Sequence, residues 1–317
     1  MREVRKNEGS QMPNVSVVIP TYNCGQYIRQ AIESALSQTY KGREIIVVDD
    51  GSSDNTYEII KPYEESGSLR YIYQENRGLP GARNTGIQNA QGEFVVVLDA
   101  DDELDERMIS LCLEQVEKEN TDWCVCDIIR VETYREDLRK EVYRAKLPQN
   151  NYKLAILADD FISRSAFFRK TSLYDIGLYH EDVQVRVDWE INIRLILAGK
   201  QFSYMPEPLY IYKLRSSSLV KTHAKKKFDY TLQLLKKHHK KLADMGDREI
   251  AQIYAQNLWR LARAYMAESR AFGAGIGCIV ESMRYDFSMK RLIHPFYHHL
   301  IKRWANQDSA TRELADR

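Results

Sequence analysis

The first 130 residues alternate between short strand-like segments and segments of helical periodicity, and this alternation limits the fold more than any other feature of the chain. A segment such as 44–48 is nearly all apolar, as a strand covered on both faces of a sheet should be. The alternation predicts an α/β fold with a mostly parallel sheet flanked by helices and right-handed crossovers. The predicted strands are 15–20, 44–48, 69–73, 94–98 and 122–131, and the predicted helices are 26–38, 56–63, 81–89 and 105–118.

Polar clusters directly follow three of these predicted strands. They are Thr21-Tyr22-Asn23, Asp49-Asp50, and the acidic segment 99–102. In parallel α/β sheets, ligands bind beyond the carboxyl ends of the strands. The sequence therefore predicts a binding site formed by these clusters.

Asp99, Asp101 and Asp102 are three carboxylates within four residues. Carboxylates so close together raise each other's proton affinity, and a bound cation removes this conflict. Oxygen ligands without a nearby Cys or His favour Mg²⁺ or Mn²⁺, which keep open positions for phosphate oxygens. The alternative is an acidic turn that caps the helix beginning near residue 105.

Three other features leave a functional and a structural interpretation open. The turn at Asp49-Asp50 can accept bonds from a base or form an Asx-turn. The loop 76–84 can present backbone N–H groups and Arg83 to anionic oxygens, or can require positive φ at its glycines Gly78 and Gly81. Asp188 can act as a base, whereas Glu190 and Arg194 can form a surface ion pair on the predicted helix 183–199.

In this order and spacing, the clusters resemble glycosyltransferase family 2, which has the GT-A fold. The resemblance covers about 205 residues. It is carried by six segments: VSVVIPTYN at 15–23, IVVDDGSSD at 46–54, NRGLPGARNTG at 76–86, LDADD at 98–102, DWE at 188–190 and YKLRSSSL at 212–219.

The resemblance implies a Rossmann-like GT-A domain that transfers a sugar, with inversion, from a nucleoside-diphosphate sugar, expected to be UDP-linked. Asp188 falls at the position of the catalytic base. Asp101, with Asp102 as neighbour or second ligand, is expected to hold Mn²⁺ or Mg²⁺. The residues expected at the donor nucleotide are Pro20, Tyr22, Asp50, Arg83 and Asp99.

Two positions depart from the family pattern. Val187 stands where an acidic residue often precedes the base, and Arg215 stands where the YKLR segment often ends in His. Arginine cannot ligate a cation but can bind a phosphate through two hydrogen bonds, so we expect Arg215 to bind the donor. A Gln-x-x-Arg-Trp element does not follow Asp188, which favours transfer of a single sugar.

The second part of the chain is basic and helical. Residues 1–220 hold 27 Lys/Arg and 35 Asp/Glu, whereas residues 221–317 hold 19 and 10. From about residue 224 the apolar spacing predicts only helices. The lysines and interfacial aromatics of these helices can lie on an anionic membrane surface, or the helices can form a bundle with a solvated lysine face. No nucleic-acid-binding module accompanies the charge, so nucleic acid is not expected as a partner.

These patterns predict a polar tail at 1–12, a GT-A domain at 13–220 and a basic helical region at 221–317. The polar N-terminus, the absence of a span of about 20 apolar residues and the five cysteines without a metal pattern predict a cytoplasmic protein. A peripheral position at the inner face of the membrane is expected if the basic helices bind lipid. The expected acceptor is a glycan or lipid-linked hydroxyl in cell-envelope polysaccharide synthesis.

The rival hypotheses are a catalytically silent nucleotide-sugar-binding or scaffolding protein, a nucleotidyltransferase and a dinucleotide dehydrogenase. The last two are disfavoured because the sequence lacks the glycine-rich loops that these enzymes place after a strand.

Overall fold

The computed structural model describes residues 14–133, 139–149, 151–162, 165–215, 224–268 and 271–286. The chain divides into two compact units, 1–222 and 223–317. The predicted tail at 1–12 and the predicted boundary at 220 lie outside the described residues, so the domain limits stay predictions.

The first unit is built on the predicted parallel strands. Strands β1 (Val15–Thr21), β2 (Arg43–Asp49), β3 (Arg70–Tyr73) and β4 (Phe94–Val97) lie in the order β3-β2-β1-β4, and all three pairs are parallel. Every residue of β1 and β4 is buried, which explains why these segments are almost entirely apolar. Because the strands are parallel, their carboxyl ends lie at one edge of the sheet.

Helices α1 (Ile28–Leu36), α2 (Thr56–Glu65), α3 (Gly78–Asn89) and α4 (Met108–Glu119) alternate with these strands. Helix α3 begins three residues before its predicted start, because Pro80 is tolerated in a first helical turn. Gly78 has a φ of +77°, as expected. Gly81 is helical instead, and no positive φ is needed there.

The rest of the sheet is mixed rather than parallel. It contains β5 (Glu103–Leu104), β6 (Trp123–Glu132), β7 (Lys140–Tyr143), β8 (Ser165–Arg169) and β9 (Phe202–Leu214), with helices α5 (Tyr152–Ala158), α6 (Lys170–Asp175) and α7 (Val187–Leu197) between them. Strand β8 lies antiparallel between β4 and β6. Phe167 of β8 stacks on Phe94 of β4 at 5.4 Å between ring centroids. Strands and helices therefore alternate along the chain up to residue 131, as predicted. In the sheet, however, β6 is not next to β4, because β8 lies between them.

Strand β9 lies between β6 and the short strand β5 that follows the acidic segment. It pairs in parallel with β6 and, near its end, antiparallel with β5, where Glu103 lies opposite Ile211. This pairing brings Tyr210 and Lys213 beside the segment 99–102, which directly precedes β5. The sheet thus supports the acidic cluster from two distant parts of the chain.

The described part of the second unit is helical, as predicted from residue 224. Its helices are Ala224–Leu235, Lys241–Asp244, Arg248–Ala267 and Phe272–Tyr285, with a π-helical turn at Lys236–Lys240. Tyr254, Leu258, Leu261 and Tyr265 form a buried stripe along the longest of these helices. Among the described helices, none is both long and apolar enough to cross a bilayer.

We predict that Gly86→Ala destabilises the first unit. A Cβ at Gly86 would lie 2.2 Å from Val18 Cγ1, so α3 would have to move away from β1. Overpacking of this kind costs about 1–3 kcal/mol in the free energy of unfolding. Urea unfolding of the variant measures this cost, and Gln88→Ala on the exposed face of the same helix serves as the control. Equal stability of the two variants would contradict the close packing of α3.

Candidate active site

The loops after β1 and β2 are joined by side-chain to backbone hydrogen bonds. Asn23 Oδ1 accepts from the backbone N–H of Ser53 at 2.8 Å and of Asp54 at 3.3 Å. Asp54 Oδ2 in turn accepts from Gly25 N at 3.1 Å. Asn23 has a φ of +51°, a conformation that asparagine tolerates better than most residues. The two loops therefore form one fixed edge of the site.

Asp49 and Asp50 have different environments. Asp49 Oδ1 accepts from Ser52 N at 2.8 Å and its Oδ2 accepts from the hydroxyl of Tyr71 at 2.9 Å, so Asp49 forms the Asx-turn. Asp50 Oδ1 accepts from Gln74 Nε2 at 2.6 Å and from Arg77 N at 2.9 Å. Among the described residues, none donates to Asp50 Oδ2. Asp50 is thus fixed in position with one oxygen available to a ligand N–H.

Two further donor-side candidates, the buried Pro20 and the exposed Tyr22, lie on the same edge. Pro20 belongs to β1 and is opposite Val48 of β2, whereas Tyr22 follows the strand and is 51% exposed. An exposed aromatic ring at the carboxyl end of a strand offers a flat apolar surface. The predicted contacts of Pro20 and Tyr22 with a nucleoside stay predictions.

Arg83 is the centre of the charged cluster. Its Nη2 donates to Asp99 Oδ1 and its Nη1 donates to Asp188 Oδ1, both at 2.8 Å. The guanidinium is 2% exposed, whereas Asp99 and Asp188 are 17% and 23% exposed. One buried cation therefore holds the carboxylate that follows β4 and the carboxylate of α7 side by side.

Tyr179 covers the opposite side of this guanidinium. Its ring centroid lies 5.1 Å from Arg83 Cζ, and burial raises the pKa of its hydroxyl. Asn84, the residue after Arg83, accepts from Tyr179 N at 2.9 Å and donates to Tyr179 O at 2.8 Å. This two-bond contact fixes the segment that leads into α7 against α3. Asn84 belongs to the segment 76–86, but the sequence alone does not indicate this role.

The two carboxylates of the DWE segment point to different partners. Glu190 is 1% exposed and forms an ion pair with Arg194 at 2.8 Å, and His180 Nδ1 lies 2.9 Å from its Oε1. The expected pair of Glu190 and Arg194 is present, but it is buried rather than on the surface, because α7 packs into the unit on this side. Of the two carboxylates, only Asp188 faces the cluster around Arg83.

Asp102 and Asp101 also differ. Asp102 is 1% exposed and accepts from the Tyr210 hydroxyl and from Lys213 N, both at 2.9 Å. Asp101 is 40% exposed and has Arg215 Nε 3.5 Å from its Oδ2, while Arg215 Nη2 donates to the Asp101 carbonyl at 2.7 Å. The Arg215 guanidinium also lies over the ring of Tyr27, 3.2 Å from its centroid. Tyr210 and Tyr27 were not anticipated, because their contacts depend on β9 and on α1.

The helix-capping alternative does not describe the acidic cluster. Helix α4 begins at Met108 with Arg107 at its N-cap, and Asp105 Oδ1 accepts from Arg107 N at 3.0 Å. The carboxylates of Asp99 and Asp102 instead bond Arg83, Tyr210 and the backbone of β9. The cluster is therefore held at the sheet edge and not at a helix N-terminus.

The carboxylate oxygens at this edge fit a hard divalent cation that is held by few protein ligands. Asp101 offers an exposed carboxylate, and Asp99, two residues earlier in the chain, is partly exposed. Within the described ranges, no group of three or more His, Cys, Asp or Glu side chains is placed to hold a metal. Mg²⁺ and Mn²⁺ sites of this kind use one or two carboxylates together with substrate phosphates and water.

Comparison with known proteins identifies the class to which this fold and site belong. Residues 16–177, about half of the chain, match the family described as Glycosyl transferase family 2. The chain belongs to this family. The predicted family membership is therefore confirmed.

Individual proteins extend the comparison beyond the family match. The chain is 29% identical over 252 residues to the glycosyltransferase GlyA of Streptococcus pneumoniae; this alignment covers 73% of the chain but 35% of GlyA, so the chain spans about a third of that relative. Its fold is similar to that of Staphylococcus aureus TarS 1–349 in complex with UDP-GlcNAc, with a TM-score of 0.61 and 20% identity over 86% of this chain and 81% of TarS 1–349. It is also similar to the mannosyltransferase PcManGT of Pyrobaculum calidifontis in complex with GDP-Man and Mn²⁺, with a TM-score of 0.50 and 17% identity over 92% and 81% of the two chains. The predicted α/β class with a GT-A fold and a helical C-terminal region is confirmed.

We predict that Arg83→Met destabilises the first unit by about 2–3 kcal/mol. Removing the cation leaves Asp99 and Asp188 adjacent and without their shared partner, and losing one member of a fully buried ion pair costs about 3–5 kcal/mol. The cost is lower here because both carboxylates are partly exposed. Urea unfolding at neutral pH measures it, with Arg77→Met as control, because the Arg77–Glu181 pair is exposed and such pairs contribute about 0–1 kcal/mol. Similar losses in both variants would contradict the central role of Arg83.

Proposed function

We propose that this protein transfers a single sugar, with inversion, from a UDP-linked donor to a hydroxyl of a glycan or lipid-linked acceptor. The observation that carries the proposal is the bridge from Arg83 to Asp99 and Asp188. It places a carboxylate on α7 next to the carboxylate that follows β4, at the edge where the parallel strands end. A base beside a donor site is the minimal requirement for a displacement at a sugar carbon.

Three side chains are proposed to bind the sugar donor: the carboxylate of Asp50, the ring of Tyr22 and the guanidinium of Arg215. Asp50 Oδ2 can accept an N–H of the base while Tyr22 lies along the nucleoside. Arg215 follows β9 and lies beside Asp101, where it can bind a diphosphate oxygen through its guanidinium. Arg83 is buried beneath Asp99 and Asp188, so its effect on the nucleotide is through these carboxylates. The UDP-GlcNAc complex of TarS, a protein of similar fold, supports a uridine donor.

Asp101, together with Asp99, would hold Mn²⁺ or Mg²⁺ against the donor phosphates. The Mn²⁺ in the PcManGT complex supports this assignment. When bound, such an ion neutralises charge on the departing diphosphate. Asp102 then acts as a neighbour that fixes the backbone of this segment, because both of its oxygens accept hydrogen bonds from β9 residues.

Asp188 accepts the proton of the acceptor hydroxyl in this reaction. The hydroxyl oxygen forms a bond to the anomeric carbon as the bond from that carbon to the diphosphate oxygen breaks, and the diphosphate leaves with the bonding electrons. A single displacement of this kind inverts the anomeric centre. Arg83 keeps Asp188 in place, because its Nη1 donates to Asp188 Oδ1 at 2.8 Å.

The donor is identified by thermal shift. We expect UDP or a UDP-sugar to raise the melting temperature by mass action, and Mn²⁺ to increase this shift. Mn²⁺ alone should have little effect, because the protein provides few of its ligands. GDP and GDP-mannose with Mn²⁺ are the matched controls. A larger shift with the guanosine compounds would overturn the uridine assignment.

Turnover distinguishes a transferase from a silent nucleotide-sugar-binding protein. Asp188→Asn should lower the release of nucleoside diphosphate from the donor by about 10²–10⁴-fold, because the amide cannot accept the proton. Asp175→Asn removes an exposed carboxylate paired with Lys200 and should leave turnover unchanged. Donor-induced thermal shifts should persist in both variants. Donor binding without turnover in the unsubstituted protein would favour the silent rival.

We also propose that the helical unit contacts an anionic membrane surface. Phe272, Ile276 and Val280 are each more than half exposed along one face of the helix Phe272–Tyr285, and Lys236 and Lys237 are exposed in the same unit. Basic helices with exposed apolar residues bind anionic interfaces. The protein should sediment with vesicles rich in phosphatidylglycerol at low salt but not with phosphatidylcholine vesicles, and salt should weaken the binding. If the protein does not sediment with the anionic vesicles, the membrane proposal is wrong. The alternative, a helical bundle with a solvated lysine face, then remains.

A further inference from the structure

Arg186 directly precedes helix α7 and has an unusual backbone conformation. It occupies the N-cap position, two residues before Asp188, with a φ of +58° and a ψ of +37°. This left-handed conformation is uncommon in residues other than glycine and asparagine. Within the described ranges, Leu178 is the other such exception, and it is buried. Arg186 is exposed, so burial of its side chain in the core does not explain the conformation.

The side chain of Arg186 is held in place without an ion pair. Its Cζ lies 5.1 Å from the centroid of the Trp189 ring. The indole N–H of Trp189 donates to the Ile156 carbonyl at 2.7 Å, which fixes the ring against α5. Asp160, in the turn after α5, interacts electrostatically with Arg186. Among the described residues, however, none accepts a hydrogen bond from the guanidinium or forms an ion pair with it. Its N–H groups are therefore available to a ligand.

Arg186 lies on the side of α7 that packs on α5, whereas Asp188 faces the proposed donor site. The carboxylate of Asp188 accepts from Arg83, which also binds Asp99 at the end of β4. In the transfer reaction, the attacking hydroxyl approaches the anomeric carbon opposite the departing diphosphate. The acceptor must therefore reach Asp188 from a side that the donor leaves open. Arg186 provides an exposed cation two residues from this base.

We propose that Arg186 is a specificity-determining residue that binds an anionic group of the acceptor, and this inference rests on the proposed function. Arginine can bind two oxygens of a phosphate or a carboxylate through parallel N–H groups. The anionic group is the phosphate of a phosphorylated acceptor or the carboxylate of an acidic sugar. Arg186 holds it beside the hydroxyl whose proton Asp188 accepts. Arg186 itself takes no part in the proton transfer.

The charges at the sheet edge make such a cation necessary for an anionic acceptor. The carboxylates of Asp99 and Asp188 share the single guanidinium of Arg83, which is 2% exposed. An anion that approaches Asp188 is therefore repelled by the excess negative charge, and the buried Arg83 is not accessible to it. Arg186 offsets this repulsion. It therefore favours an anionic acceptor over a neutral one.

Three glucose-based probes test the proposal on the protein saturated with UDP and Mn²⁺, so that the donor site is already filled. Glucose 1-phosphate carries a phosphate, glucuronic acid carries a carboxylate, and methyl glucoside is neutral. Isothermal titration should show tighter binding of at least one anionic probe than of methyl glucoside. Added salt should weaken this binding. The anionic probe that binds more tightly identifies the charged group of the acceptor.

Variants of Arg186 show whether this residue holds the anion. Arg186→Gln should weaken binding of the preferred anionic probe by about tenfold or more, because hydrogen bonds between two charged groups are lost. Arg186→Lys should keep part of the affinity, because the charge remains. Lys118→Gln removes an exposed cation in the last turn of α4 and is the matched control, with unchanged affinity. Arg186→Gly replaces the Gln variant if that variant does not fold, because glycine adopts positive φ without strain.

Hydrolysis of the donor separates a role in acceptor binding from a role in the chemistry. Without an acceptor, Arg186→Gln should release UDP at the rate of the unsubstituted protein from the UDP-sugar that gives the largest thermal shift. Asp188→Asn should release it more slowly, because the base that activates the attacking oxygen is lost. A residue that only supports the fold of α7 would not weaken binding of the anionic probe while leaving hydrolysis unchanged.

The inference is wrong if neither anionic probe binds more tightly than methyl glucoside, or if Arg186→Gln binds the anion as tightly as Lys118→Gln does. It is also wrong if Arg186→Gln slows donor hydrolysis as much as Asp188→Asn does, because Arg186 would then act on the donor or the base. Failure of the proposed function has a different signature. In that case UDP does not bind, or the unsubstituted protein binds UDP-sugars without turnover.

Discussion

A single guanidinium between two carboxylates is the interaction on which the rest of the candidate site depends. Arg83 bonds Asp99, 16 residues away, and Asp188, 105 residues away, at the same distance of 2.8 Å. Without the cation, the two negative charges would repel each other at a partly desolvated sheet edge. The end of β4 and the start of α7 are therefore held together by charge, and Tyr179 excludes water from the other side of the guanidinium.

The position of Arg83 depends in turn on how closely α3 approaches the sheet. Gly86 has no side chain, which lets α3 pack directly on Val18 of β1. Asn84 then binds the backbone of Tyr179 through two hydrogen bonds and fixes the segment before α7. The geometry of the site therefore depends on three contacts. They are the close packing of α3 on β1, the two hydrogen bonds between Asn84 and the backbone of Tyr179, and the ion pairs of the buried Arg83.

Local periodicity explains which parts of this arrangement were predictable. Strands β1 to β4 and the polar clusters that follow them were predicted because nearly all-apolar strands and their terminal residues are adjacent in sequence. The antiparallel insertion of β8 was missed because strand pairing depends on distant contacts such as the stacking of Phe167 on Phe94. For the same reason, no sequence pattern showed that Asp102 binds residues of β9. The pair of Glu190 and Arg194 was predicted from its spacing, but the spacing could not show that it is buried.

The cations beside α7 explain why the two carboxyl groups of the DWE segment have different roles. Glu190 is buried, with Arg194 at 2.8 Å and His180 at 2.9 Å from its carboxylate, so its role is structural. Asp188 shares one guanidinium with Asp99 and stays partly exposed at the sheet edge. A buried pair within one helix therefore stabilises the fold, whereas a carboxylate bridged to the end of a strand at the sheet edge stays accessible to a ligand.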